Sequence, residues 1–335
     1  MIDLSEFENK TILITGGSGS IGSYLTEALL ETKCKSIRIL SNNEYELYNL
    51  EKKFSSSKKL RLLLGDVRDK DRLKVASEDV DIVFHAAALK HVPICEFNPF
   101  DAVQTNVIGT QNMIEACIQS NVEKFVFIST DKAASPLSTL GATKLLAERL
   151  TSSAMAYRKS MTKPVMYCVR FGNVIGTRGS VLELFLDQVK NSVPLTTTNN
   201  DMTRFTMTKK EAVDLILSTV KIAKGGEIFV LKMKSMKIID LARAVISLYS
   251  NDPINHKIIE TGIRNGEKLH ESLIASDEFN RFKEFNDTYV LPSLDSNHYQ
   301  ELPNLEKCYT SDQVELLTID EIKSLLTDLS SGDTS

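Results

Sequence analysis

In the stretch FISTDKAASPLSTLGATK, residues 127–144, a hydroxyl, a carboxyl and an amine follow one another as Thr130, Asp131 and Lys132. Side chains of these types can hold a polar substrate atom and pass protons to and from it. For that, burial or a bound ligand must raise the pKa of the acid, and desolvation must lower that of the lysine. By residue type alone Asp131 and Lys132 also read as a turn and capping pair ahead of Pro136. Further on, Lys144 stands four residues after Leu140, so in a helix the two share one face. Leu140 has no proton to exchange. An acid–base segment with an apolar residue at that point needs its proton chemistry elsewhere.

The elements that must position these residues are legible from apolar runs. TILIT, SIRIL, LRLLLGD, VDIVFHAA, KFVFIST and VMYCVRF are short and rich in Val, Ile, Leu and Phe, and helical patterns such as GSYLTEALLETK lie between them. Strand–helix alternation with continuously apolar strands predicts an α/β fold, a Rossmann-like doubly wound parallel sheet covered on both faces. Beyond the sixth run, turn-rich stretches (GNVIGTRGS, TTTNNDMTR) break the rhythm and predict a smaller C-terminal substrate-binding region. The expected division is a dinucleotide-binding part over 1–172, with a return of 205–225, and a second region over 173–335. Open α/β sheets bind ligands at the carboxyl ends of their strands, where Thr130–Lys132 fall.

The loop TGGSGSIG follows the first strand and opens a helix. That context suits backbone N–H groups binding a pyrophosphate, so a dinucleotide is expected on Gly16, Ser18, Gly19, Ser20, Ile21 and Gly22. The second strand ends in SNNEY, which offers Ser41 and Asn42 to the cofactor. It has neither the acid that favours NAD nor an arginine that favours NADP, so that choice stays open. Asp66 and Val67 are placed to meet the adenine, a local cap being the other reading of Asp66. Ala86, Ala87 and Ala88 are small enough for backbone to lie against the cofactor.

The chain has 335 residues, 42% of them hydrophobic and 25% charged, with a net charge of -4. Such a mildly acidic chain has no overall basic field to attract nucleic acid. Five scattered cysteines without C-x-x-C spacing argue against a disulfide framework or a metal site. MIDLSEFENK does not read as a signal peptide, and no run of about 18 apolar residues occurs, so no membrane span and a cytoplasmic location are expected.

With these motifs in order, GGSGSIG, HAAALKHVP, NPFDAVQTNVIGT, STDKAASP, VRFGNVIGTRGSV, DMTRFTMT and RNGEKLHE, the chain resembles the UDP-N-acetylglucosamine 4,6-dehydratases of the extended short-chain dehydrogenase/reductase superfamily, enzymes of polysaccharide and glycan biosynthesis. The resemblance runs from about Lys10 to about Ile274. It implies a tightly bound NAD(P)+ regenerated each turnover and a UDP-sugar substrate. In that reaction the sugar 4-hydroxyl becomes a ketone, the C5 proton is thereby acidified, water leaves from C6 and hydride returns to C6. Most members of the superfamily carry a tyrosine where Leu140 stands; a subgroup of the dehydratases lacks it, and the leucine fits that subgroup.

The resemblance assigns Thr130 a hydrogen bond to O4, Asp131 the general acid for water loss, and Lys132 the base at C5. Lys144 then holds the nicotinamide ribose. Asn106 is similar to a helix asparagine that steadies that lysine through water, a plain polar helix residue being the other reading. Arg204 and Arg264 are implied as phosphate ligands, with Arg178 reaching the sugar or phosphate. Asn173, Lys90 and His91 are implied around the sugar. Glu267 and Lys268 read as a structural ion pair. A UDP-sugar 4-epimerase and a non-catalytic dinucleotide sensor are the rival functions. Retention at C5 is expected from NNEYELYNLE, and a homo-oligomer, dimer or higher, from the superfamily's pairing helices.

Overall fold

The computed structural model describes residues 4–154, 163–293 and 297–332. The first strands are the expected apolar runs: β1 (Thr11–Thr15), β2 (Ser36–Ser41), β3 (Leu60–Leu64), β4 (Ile82–His85), β5 (Lys124–Ile128) and β6 (Val165–Arg170). Helices α1 (Ser20–Leu30), α2 (Glu44–Lys53) and α3 (Lys70–Ala76) connect the first four. Between β4 and β5 lie α4 (Val92–Phe97), α5 (Pro99–Val103), a π-helical turn (Gln104–Ile108) and α6 (Gly109–Gln119); α7 (Thr139–Ala154) precedes β6. Beyond β6 come β7 (Asn173–Val174), α8 (Val181–Lys190), β8 (Leu195–Thr197), β9 (Thr203–Met207), α9 (Lys209–Ile222), β10 (Ile228–Leu231), β11 (Lys234–Lys237) and α10 (Ile238–Tyr249). The last elements are β12 (Ile258–Glu260), β13 (Ser272–Ile274), β14 (Lys283–Phe285), β15 (Thr288–Leu291), β16 (Tyr309–Thr310) and α11 (Ile319–Gly332).

Among the described residues nine strands form one sheet in the order β14-β15-β10-β6-β5-β4-β1-β2-β3. From β3 to β10 every pair is parallel, and β15 and β14 add antiparallel at the edge. β1 is buried along its whole length and β4 likewise, as strands covered on both faces must be. The expected doubly wound fold is therefore present. The chain reverses direction of winding between β1 and β4, the switch point at which such sheets bind ligands.

Register explains why the site residues meet. Thr15 pairs with His85, His85 with Phe127, and Ile128 with Val169, so the loops after β1, β4, β5 and β6 leave the sheet side by side. His85 pins this edge from below. It is fully buried, with Nδ1 2.7 Å from Thr15 Oγ1 and Nε2 3.1 Å from Thr110 Oγ1. Burial, helped by the nearby Lys144 charge, lowers its pKa to about 3, so it stays neutral.

Residues 228–231 and 283–291 lie outside the expected dinucleotide-binding part, yet they continue its sheet as β10, β14 and β15. The cause is local. α9 is a crossover helix buried along one face on the main core, and the apolar IFVL that follows adds in parallel beside β6. A second core joins α8, β8, α10 and α11 through Phe185, Leu195, Val245 and Ile322. A short sheet β11-β9-β7 bridges the two cores at the sheet's carboxyl edge.

Candidate active site

The turn after β5 is held by the neighbouring strand. Ser129 N–H donates to Val169 O at 2.8 Å and Asp131 N–H donates to Phe171 O at 3.0 Å. Residues Asp131–Ala133 form a 3-10 turn, and its cap is Thr130, whose Oγ1 accepts from Lys132 N–H at 3.5 Å, rather than Asp131 or Lys132. Two donors converge on one oxygen of Asp131: Thr130 Oγ1 at 2.7 Å and Lys132 Nζ at 3.0 Å, both on Oδ1. Asp131 is 1% exposed, and its Oδ2 has no hydrogen-bond partner. A buried acceptor left without a donor is costly, and such an atom calls for a ligand or a function.

Lys132 departs from expectation. Burial does push its pKa down, but the carboxylates of Asp131 at 3.0 Å and Glu271 at 3.5 Å outweigh burial, and the net direction is up. The resting side chain is an ammonium. The lysine whose pKa burial does lower is Lys144, to about 8, against partial opposition from Glu148 and Cys168. Its Nζ donates to Ile128 O at 2.6 Å and lies 4.3 Å from the Phe127 ring centroid. One turn earlier Leu140, 3% exposed, packs on Cys95 and Ala102. Helix α7 comes so close to the turn after β5 because residue 141 is glycine; any Cβ there would collide with Lys132 O.

These groups line one cleft of about 1300 Å³ at the carboxyl edge of the sheet. Gly16, Ser18, Gly19, Ser20, Ile21, Gly22, Ser41, Asn42, Asp66, Val67 and Ala86–Ala88 line one end, and Thr130–Lys132 and Lys144 the middle. The geometry fits a dinucleotide. Gly16 takes φ +64°, and a Cβ on it would lie 2.7 Å from Ala87 Cα, so only glycine leaves the backbone this close. The open N-terminus of α1 follows at once, with Gly19 as its cap and no side chain occupying its N–H groups. Ser18 Oγ and Ser41 Oγ are 2.7 Å apart. Asp66 is engaged by Arg68 at 3.0 and 2.8 Å and by Asn42 Nδ2 at 3.2 Å. Those partners, Arg68 first, outweigh burial and hold its pKa below the ordinary value.

Asn106 is the one expected site residue that does not line the cleft. It is 1% exposed behind the wall, where its amide brackets Leu89: N–H of Leu89 donates to Oδ1 at 2.8 Å and Nδ2 donates to Leu89 O at 3.2 Å. Nδ2 also donates to Thr143 Oγ1 at 3.0 Å. These bonds fix the loop carrying Lys90.

At the other end, Lys90, His91, Asn173, Arg178, Arg204 and Arg264 all line the cleft. Arg178 is held over the glycine loop. It pairs with Glu46 on α2 and donates to Ser18 O at 2.6 Å, while Lys90 Nζ donates to the Arg178 carbonyl. These contacts draw it over the glycine loop, on the cofactor side. Arg204 donates to the carbonyls of Thr203, Leu269 and Lys268 at 2.7, 3.1 and 3.0 Å and so braces the RNGEKLHE segment. Arg264 is exposed, and no carboxylate among the described residues pairs with it. Glu267 and Lys268 do not pair with each other: Glu267 lies 3.6 Å from Arg204, and Lys268 Nζ donates to Ala134 O at 2.7 Å. Glu271 went unassigned from the sequence. It is 3% exposed, lines the cleft beside Lys132, and was visible only as the last letter of RNGEKLHE.

Comparison with known proteins agrees with this architecture. The family model described as "Polysaccharide biosynthesis protein" matches residues 12–293. A Methanocaldococcus jannaschii relative named an uncharacterized membrane protein is 50% identical over 337 residues, 98% of either chain; no helix among the described residues here is long and apolar enough to cross a membrane. The Campylobacter jejuni UDP-N-acetylglucosamine 4,6-dehydratase (inverting) is 44% identical over 86% of this chain and 84% of its own. A Rickettsia canadensis protein named UDP-glucose 4-epimerase is 38% identical over 96% of both. Among solved structures, Pen from Bacillus thuringiensis superposes with TM-score 0.90 at 41% identity, covering 96% of this chain and 98% of that one. DesIV, a dTDP-glucose 4,6-dehydratase from Streptomyces venezuelae solved with NAD and TYD bound, shares the fold at TM-score 0.68 and 21% identity over 77% of this chain and 86% of its own. The chain belongs to the polysaccharide biosynthesis protein family, in the branch of the UDP-N-acetylglucosamine 4,6-dehydratases.

Proposed function

We propose that the protein converts UDP-N-acetylglucosamine to a UDP-4-keto-6-deoxy-N-acetylhexosamine in the cytoplasm. The observation that carries this reading is the buried Asp131, with an unpartnered Oδ2 on the cleft and Lys132 bonded to its other oxygen, in a chain whose tyrosine position is Leu140. Gly16–Gly22, Ser41 and Asp66 hold the dinucleotide, and Lys144 orients its nicotinamide ribose. Residues from Asn173 onward, with Arg204 and Arg264, hold the nucleotide sugar. When bound, NAD or NADP supplies hydride acceptance at C4 and hydride return at C6 and ends each turnover oxidised. Thr130 positions O4 and Asp131 removes its proton. Lys132, which rests as an ammonium, must pass a proton to solvent before it can take the one at C5, and it returns a proton to C5 as hydride adds at C6. Asp131 then protonates the C6 oxygen as water departs.

A homo-oligomer belongs to the same reading. Phe97 and Phe100 on α4 and α5 are 87% and 85% exposed, with Ile94 and Val103 beside them, an apolar surface that a partner copy would cover. The Campylobacter jejuni relatives carry the word inverting in their names, which favours inversion at C5 over the retention expected from NNEYELYNLE. The rival reading, a 4-epimerase, rests on the names of the Rickettsia relatives.

The test is incubation with UDP-N-acetylglucosamine in deuterated water, followed by NMR. A 4-keto-6-deoxy product carrying deuterium at C5 is expected, and the C5 coupling pattern gives its configuration. A galacto-configured product would replace the reading with epimerisation. Unchanged sugar with dinucleotide bound would replace it with a sensor.

A further inference from the structure

Glu271 stands at the entry to β13, where its backbone is clamped. Its N–H donates to Ser311 Oγ at 2.9 Å, and Ser311 N–H donates back to its carbonyl at 2.9 Å. The side chain is 4% exposed and lies among three cations. Oε1 is 3.5 Å from Lys132 Nζ and 4.0 Å from Arg204 Nε, and Oε2 is 3.9 Å from Lys268 Nζ. None of these is a hydrogen bond, and Oε2 has no hydrogen-bond partner at all. A carboxylate buried for stability alone is expected to be closed by donors at about 2.8 Å. This one is set as a charge and lines the cleft.

We propose that Glu271 is a positioning residue for the elimination, the fixed counter-charge that holds Lys132 against Asp131 and couples the RNGEKLHE segment to the catalytic turn. The inference rests on the dehydratase reading and adds a residue to it. The charged groups facing the pair are Asp131 from the turn, Arg204 from β9, and Glu267 and Lys268 from the segment before β13. Lys132, Arg204 and Lys268 thus balance Asp131, Glu267 and Glu271. Without the Glu271 charge the set carries a net positive charge, and Lys132 gives up its proton more readily. An opposite charge at this range moves a pKa by about one unit or more.

The experiment is the pH dependence of deuterium incorporation at C5 for the wild type, Glu271→Gln, Glu271→Asp and Lys268→Met. The limb that rises as Lys132 becomes the free amine is expected about one pH unit lower in Glu271→Gln, because the counter-charge is gone. It should return to the wild-type position in Glu271→Asp, which keeps the charge. It should move upward in Lys268→Met, which removes a competing cation. Loss of positioning is expected to lower kcat of Glu271→Gln about tenfold with KM little changed. A limb unmoved in both Glu271→Gln and Lys268→Met overturns the inference, whatever the rates do. If Glu271→Gln does not fold, the Lys268→Met limb decides alone. A wild type that makes no 4-keto-6-deoxy sugar removes the dehydratase reading itself, which separates the two failures.

Discussion

Arg170 offers the sharpest quantitative test of how the site is braced. It ends β6 with no exposed surface and sits between two carboxylates. Nε and Nη2 donate to Glu148 on α7 at 2.9 and 2.6 Å, and Nη1 and Nη2 donate to Glu278 at 2.7 and 3.2 Å. Nη1 also donates to Leu273 O at 2.9 Å on β13. One guanidinium therefore joins the helix of Lys144 to the segment of Glu271. Arg170→Met would leave Glu148 and Glu278 facing each other without their shared guanidinium, with only the half-exposed Arg149, 3.6 Å from Glu278, still beside them. Breaking a buried pair costs about 3–5 kcal/mol, and two buried carboxylates losing one hydrogen-bonded guanidinium put this case near 5. At about 2.1 cal/mol/K per residue, a chain of 335 residues unfolds with about 0.7 kcal/mol/K, so the melting temperature should fall by about 7 °C. The triple variant Arg170→Met/Glu148→Gln/Glu278→Gln should recover most of that loss, since no buried charge remains. The pH dependence has a fixed sign. Burial would raise the pKa of Glu278, but Arg170 outweighs it and holds the carboxyl below its ordinary value of 4.5. Stability from this contact is complete above that value and is lost as pH falls through the lower, folded one. The gap between wild type and Arg170→Met should accordingly be full at neutral pH and narrow in acid. Thermal melts over a pH series measure it. An Arg170→Met protein that melts with the wild type at neutral pH would refute the reasoning.

Asp131→Asn and Lys132→Ala are each expected to lower turnover by on the order of 100-fold while the dinucleotide stays bound; full turnover in either would remove the assigned roles. Leu140→Tyr should not speed the reaction, and it should destabilise the protein by about 1–3 kcal/mol, since Leu140 is packed against Cys95 and Ala102. Steady-state rates and a melt decide it, and a faster enzyme would show that a phenol is still wanted there. Lys144, with a pKa lowered to about 8 by burial, keeps its ammonium below that value and loses it above. Dinucleotide affinity of the cofactor-free protein, measured calorimetrically, should therefore weaken as pH rises through about 8, and a flat profile would rule out a charged Lys144 in binding.

Much of this arrangement was legible in the chain because its signals are local. The strands are continuous apolar runs, and the glycine loop announces itself by following β1 and opening α1. Thr130–Lys132 are contiguous, so one strand end places all three. What the chain does not announce is partners distant in sequence. The upward shift of Lys132 comes from Asp131 beside it and from Glu271, 139 positions away, and burial alone gives the wrong sign. Arg178, expected at the sugar or phosphate, is held by Glu46 and the Ser18 carbonyl, which no spacing rule connects to it. Asn106 reads as an ordinary polar helix residue until the loop at Leu89 folds back upon it. Sheet membership of β14 and β15 escaped for the same reason, since an antiparallel hairpin added at an edge leaves no periodic trace in a two-lobed chain.

The leucine at position 140 then has a physical explanation. A phenol working beside Lys144 would need that ammonium to hold its oxyanion, and here the ammonium donates to Ile128 O and rests 4.3 Å from the Phe127 ring centroid. In the proposed reading the proton chemistry lies instead in a set of three cations and three carboxylates that includes Asp131 and Lys132, balanced in charge and largely buried. Passing a proton from Lys132 to a carboxylate within such a set creates no net buried charge, so the low-dielectric site does not oppose it as it would oppose forming a lone phenolate. An apolar residue at 140 suits that arrangement, since it fills the pocket formed with Cys95 and Ala102 and brings no second titrating group beside Lys144.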